Sequence, residues 1–177
     1  MFSFTRFCLR VLADLNEIIR RMKRNVILTI AIVFKMPIQI KYINGGIGVE
    51  FIASGVVTGV DIIAANKEIY REENLLIQRY QIVDRTQCTE YEVSTKEIRI
   101  IAEQDIAAAT INPNIIIAFI SKTDLQYGIS RMYQAYVGDS GFLTGLFRDR
   151  KSAEEWIKNQ LKKSNNGTKP ELGLVSD

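Results

Sequence analysis

From Met36 onward, short β-favouring runs alternate with segments of helical apolar spacing, and no other feature limits the fold of this chain as tightly. Ile38-Gln39-Ile40-Lys41-Tyr42 alternates as a half-buried strand does, and Asn44-Gly45-Gly46 supplies residues tolerant of positive φ before a second run, Ile47 to Ile52. That pattern predicts an antiparallel hairpin. Thr58 then precedes a helix whose inward side is Ile62, Ile63, Asn66, Ile69 and Tyr70. Tyr80 to Val83 reads as a short third strand ending at Asp84, with a polar loop beyond it that holds Cys88. Ser94 with Glu97 three residues on forms a capping box, predicting a second helix to about Thr110. Asn112-Pro113-Asn114 ends it, because the residue before proline is pushed out of the helical region.

Ile115 to Ile120 is apolar on both faces, as an interior parallel strand is. Asp124 is placed to cap a third helix with Leu125, Gly128, Ile129, Met132 and Tyr136 on one side, Gly128 marking a close approach to the sheet. Leu143 to Phe147 is a last strand, and Asp149 caps a fourth helix that buries Ala153, Trp156, Ile157, Gln160 and Leu161. The predicted class is α/β: an N-terminal β-hairpin plus βα crossovers in a mostly parallel sheet with four helices.

The 177 residues suffice for one domain whose core needs neither disulfide nor metal. Cys8 and Cys88 form no CxxC pair, which fits a reducing cytoplasm. The chain has no histidine, so Ser-His-Asp and Cys-His nucleophile systems and imidazole metal sites are excluded. No catalytic residue, metal site or cofactor is expected. Gly45, Gly46 and Gly48 lie between strands and open no helix, so they are a turn and not a phosphate cradle.

Charge is unevenly placed. Residues 1–35 carry seven basic and two acidic side chains, net +5, whereas the remainder carries 16 basic and 18 acidic, net −2. A mildly acidic body offers no footprint for nucleic acid. In the extension, Phe4, Cys8, Val11, Leu15, Ile18 and Met22 form one apolar helical stripe with arginines mostly off it. The run Val26 to Phe34 is nine residues, about half of a membrane span. Residues 1–34 are therefore expected to allow peripheral contact with the inner face of the membrane, not to cross it. The polar stretch from residue 162 to 177 is expected to be disordered.

Met36-Pro37-Ile38, Gly55-Val56-Val57-Thr58-Gly59, Ile82-Val83-Asp84, Ile101-Ala102-Glu103-Gln104-Asp105, Tyr127-Gly128-Ile129-Ser130-Arg131-Met132 and Phe147-Arg148-Asp149 with Ala153 and Trp156 resemble SpoIIAA-like, or STAS/SEC14-type, bacterial proteins. The resemblance covers residues 36–161. It implies a small α/β domain related in fold to anti-sigma factor antagonists and to the cytosolic STAS domains of anion transporters, usually without enzymatic activity. The Asp-Ser-Ser-Gly type of phosphorylation motif is missing. Because the pattern starts at Met36-Pro37, residues 1–35 are either a translated extension or an upstream overreading of the gene.

Several residues are candidates for a ligand- or partner-binding site. Asp84, Asp124 and Asp149 each follow a strand and so fall at the carboxyl edge, where open α/β sheets bind ligands, although helix capping accounts for the last two. Asp105 falls on the inward face of its helix and needs a partner, for which Arg131 is a candidate; an Asp84–Arg131 pair is the other option. Tyr127, Tyr133 and Tyr136 with Met132 line a pocket or belong to the core. Ser94 stands roughly where STAS antagonists carry their phosphoacceptor, and is also the cap of its helix. The expected function is a non-catalytic binding or regulatory module, acting on a protein partner, a small apolar ligand or a second copy of the chain. The alternative is a peripheral membrane or lipid-binding protein.

Overall fold

The structure, a computed structural model, describes residues 37–165 and 173–174. The extension before Pro37, with its membrane reading and the question of its translation, lies outside the described residues, as do residues 166–172 and 175–177. The chain divides into two units, Met1–Met36 and Pro37–Asp177, and the fold is that of the second.

Strand β1 (Ile38–Ile43) turns through Asn44–Gly46 into β2 (Gly48–Thr58), and the two pair antiparallel from Ile38↔Ala53 to Ile43↔Gly48. Asn44, Gly45 and Gly46 all take positive φ, so the turn rests on the residues that tolerate it. Helix α1 (Gly59–Ile69) and a single helical turn α2 (Glu72–Leu75) lead to β3 (Tyr80–Glu92). Helix α3 (Thr95–Ile111), β4 (Ile116–Ile120), α4 (Asp124–Val137), β5 (Leu143–Phe147) and α5 (Arg150–Asn165) follow, and Gly173–Leu174 adds a two-residue β6 beside β5. The sheet order is β1-β2-β3-β4-β5-β6, parallel at every step after the hairpin. The expected α/β class, hairpin and crossovers are all present.

Pleating divides the side chains between two layers. Val49, Phe51, Ala53, Val83, Ile117 and Phe119 face the layer of α1, α3 and α4. Ile82, Ile116, Ala118, Ile120 and Phe147 face α5, through Ala153, Ile157 and Trp156. The central strand β4 is covered on both faces, which is why it reads as an unbroken apolar run.

Several local expectations are corrected. The second strand runs on to Thr58 and the third to Glu92, so Cys88 lies in a strand, half-buried, and not in a loop. Beyond Asp84 the polar residues of β3 still pair with β2, as far as Glu92 on Thr58, and backbone pairing overrides their composition. Thr123, not Asp124, caps α4, in a capping box with Gln126. The buried stripe of α4 is Gln126, Ser130, Tyr133 and Val137; Leu125 is 64% exposed. Gly128 is exposed as well, and a Cβ there would meet nothing within 4 Å, so it marks no close approach. A short fifth helix, α2, joins the four expected, α5 continues to Asn165, and Gly173–Leu174 joins the sheet inside the stretch expected to be disordered.

Candidate functional site

Strand β3 sets the site. Its alternation sends Tyr80, Ile82 and Asp84 toward α5 and Gln81, Val83 and Arg85 toward the three-helix layer. Strand β4 pairs with β3 only as far as Asp84↔Ile120. Arg85 therefore enters the layer just past the last β3–β4 pair, beside Ser121. Helix α4 meets it there: Gln126 donates its side-chain amide to the Arg85 carbonyl, and one turn later Ser130 presents its hydroxyl.

Arg85 is only 2% exposed. One terminal nitrogen donates to the hydroxyls of Ser121 and Ser130, and the other reaches the Tyr91 hydroxyl at 3.5 Å. Its guanidinium carbon stands 5.3 Å from the centroid of Tyr91 and 5.2 Å from that of Phe119. Nε is buried without an acceptor, and among the described residues no carboxylate forms an ion pair with Arg85. Burial of a charged group costs several kcal/mol, and two cation–π contacts, at about 0.5–2 kcal/mol each, offset it in part.

Between the sheet and α1, α3 and α4 lies a cavity of about 60 Å³, lined mainly by apolar side chains that include Phe51, Ile62, Ile98 and Ile129. Its polar groups are few: Arg85, Tyr91, Ser130, Asp105, Asn66, Gln81 and Tyr133. Asp105 of α3 is 3% exposed and accepts from Asn66 of α1 at 3.0 Å, from Tyr70 at 2.8 Å and from Tyr133 of α4. Burial pushes its carboxyl up to about 6, against the bonds from Tyr133 and Tyr70, which favour the anion. Both tyrosines are themselves held well above their ordinary range, first by burial and then by the Asp105 charge.

The structure disperses the candidate residues. Of the candidates, Asp105 and Tyr133 line the cavity, and neither expected arginine pair forms: the partners of Asp105 are Tyr70, Tyr133 and Asn66, because Arg131 lies on the exposed side of α4. Arg131 instead stands 5.7 Å over the Tyr127 ring, which Arg148 also covers, at 4.6 Å. Met132 and Tyr136 pack in the α3–α4 seam, and Arg99 covers Tyr136.

The three carboxylates after the strands do not converge. Asp84 faces α5, accepts from the Thr86 backbone and hydroxyl, and lies 3.9 Å from Arg150. Asp124 pairs with Arg148 at 2.7 Å, and Asp149 accepts from the Ser152 amide as a cap. Ser94 is the exposed cap of α3, and its hydroxyl donates to Glu97 at 2.5 Å. Burial raises the Cys88 thiol to about 11, against the lowering effect of Arg85, so it stays protonated at neutral pH. Among the described residues no group of three or more Cys, Asp or Glu is placed to hold a metal ion.

Sequence reasoning missed Arg85. The signal was present: continuing the alternation from Gln81 and Val83 puts Arg85 on the apolar face. Ending the strand at Val83 hid it.

No protein-family model matches the chain, and no curated protein matches it. Among solved structures it is similar to an uncharacterised protein of the DUF3478 family with a SpoIIAA-like fold, from Shewanella loihica PV-4. The two are 20% identical, the match covers 68% of this chain and 91% of that one, and the TM-score is 0.43. No described helix is long and apolar enough to cross a membrane.

Proposed function

We propose that this protein is a non-catalytic binding module that receives a small, mainly apolar molecule in the cavity between its sheet and α1, α3 and α4. One observation carries the reading: an apolar cavity with a few polar groups lies at the middle of the three-helix layer. At about 60 Å³ it exceeds what one water requires, roughly 10–15 Å³, and falls short of the cavity on the order of 150 Å³ that takes benzene. The ligand that fits without rearrangement has a few heavy atoms. Acid–base chemistry is disfavoured because the carboxyl oxygens of Asp105 are occupied by Tyr133, Tyr70 and Asn66, and the layer has no histidine or reactive thiolate.

Native mass spectrometry of freshly purified protein, beside thermal shifts with a library of small fragments, tests the reading. Binding that raises the melting temperature and is lost on filling the cavity with Ile129→Trp, a variant checked for retained fold, is the expected result. Fragments that bind Ile129→Trp as well as the wild type would place the ligand elsewhere.

A further inference from the structure

We propose that the ligand of this cavity is a small carboxylate, its apolar body against the sheet and α3 and its carboxylate on the Arg85 guanidinium. The inference rests on the cavity reading above and names the chemistry it selects.

Arg85 is a buried cation without an anion. Four of its surroundings are neutral: the hydroxyls of Ser121 and Ser130, and the rings of Tyr91 and Phe119. Among the described residues the Nε–H has no acceptor. Arg71 meets Glu68, Arg148 meets Asp124, and Arg150 meets Glu50 and Glu154; of the described arginines with no carboxylate pair, Arg79, Arg85, Arg99 and Arg131, Arg85 alone is buried. The carboxylate that shares the cavity, Asp105, is held away by donors from α1, α4 and Tyr70, and forms no ion pair with Arg85. The Nε–H is the donor left for an anion, and a bond from a guanidinium to a carboxylate oxygen is of the stronger, charge-assisted kind. The remaining wall is mainly apolar and the space small. A phosphate ester brings more oxygens than this wall can satisfy, and an ammonium meets like charge at Arg85 and, at Asp105, a carboxylate whose oxygens already take donors from Asn66, Tyr70 and Tyr133. Size, the Nε–H left without an acceptor among the described residues and the apolar wall agree on a short aliphatic acid.

The test uses the full 177-residue chain and a matched ligand series: straight-chain carboxylates of two to six carbons, the corresponding amides, and the corresponding primary amines, at pH 7.5. Affinities are read by calorimetry, and the Arg85 Nε–H resonance is followed by ¹⁵N NMR. At least tenfold tighter binding of one or more acids than of their amides, with a shift of that resonance, is expected; amines do not bind. Arg85→Lys keeps a charge and retains part of the preference, whereas Arg85→Met loses the preference while still binding the amide. Should Arg85→Met not fold, the acid-to-amide ratio and the Nε–H signal of the wild type decide alone. Acids and amides that bind equally, or acids that bind without moving the Nε–H signal, would overturn the assignment to Arg85 and leave the cavity reading standing. Binding by no member of any class overturns both.

Discussion

Asp105 ties three parts of the helical layer together, since its acceptors serve Asn66 on α1, Tyr70 just beyond it and Tyr133 on α4. The same burial that makes these bonds matter raises its carboxyl from 3.8 to about 6. Between those two values the folded chain holds a proton that the unfolded chain has released. Stability from this group is therefore greatest on the acid side and declines as pH rises through the window. A displacement of that size corresponds to about 3 kcal/mol. Asp105→Asn stays neutral throughout, so urea unfolding of the two proteins at pH 4 and pH 7 should differ in a directed way. From pH 4 to pH 7 the variant is expected to gain on the wild type by about 2–3 kcal/mol. A difference that does not change with pH would show that Asp105 keeps an ordinary carboxyl in the folded chain.

Two glycines show how elements set the room at a position. Gly145 on β5 faces α5, and a Cβ there would come within 2.6 Å of the Phe147 ring and 3.1 Å of Trp156. The two rings stand 5.4 Å apart, centroid to centroid, and close the gap between strand and helix. Gly145→Ala forces them aside, and overpacking of this kind costs about 1–3 kcal/mol. Gly128, in the middle of α4, has open space where its Cβ would be. Gly128→Ala is expected to stabilise by about 0.5–1 kcal/mol, because the helix loses less backbone entropy on folding. Chemical denaturation of both variants measures the contrast. A loss of stability at Gly128→Ala would mean that α4 packs more closely there than this arrangement has it.

At the scale of the molecule, the apolar clusters among the described residues of the second unit run from its first strand to its centre. Ile38 opens β1 and packs with Val49, Phe51, Ala53, Val57, Ala65 and Ile69, while Ile115, Ile117 and Leu146 are fully buried nearer the centre. A chain beginning at Met36 should therefore unfold in one cooperative transition followed by circular dichroism. A broad, non-cooperative melt of the shorter chain would show that the domain depends on residues 1–35.

Sequence alone determined the elements whose cause is local. The capping boxes at Thr58 and Ser94 set two helix starts by hydrogen bonds between neighbours, and Asn112-Pro113 set a helix end by backbone sterics. The apolar run from Ile115 to Ile120 gave away the interior strand because burial on both faces leaves no alternation. Other features are relations between distant segments. The length of β3 depends on a partner in β2 32 to 34 residues earlier, Arg85 matters only because β4 stops beside it, and Asp105 is satisfied by side chains 28 to 39 residues away. Spacing places Asp105 inward with Arg131 as its candidate partner, yet the turn of α4 that buries Gln126, Ser130 and Tyr133 leaves Arg131 outside. Helical period constrains which residues share a face; only packing against the sheet decides which face is buried.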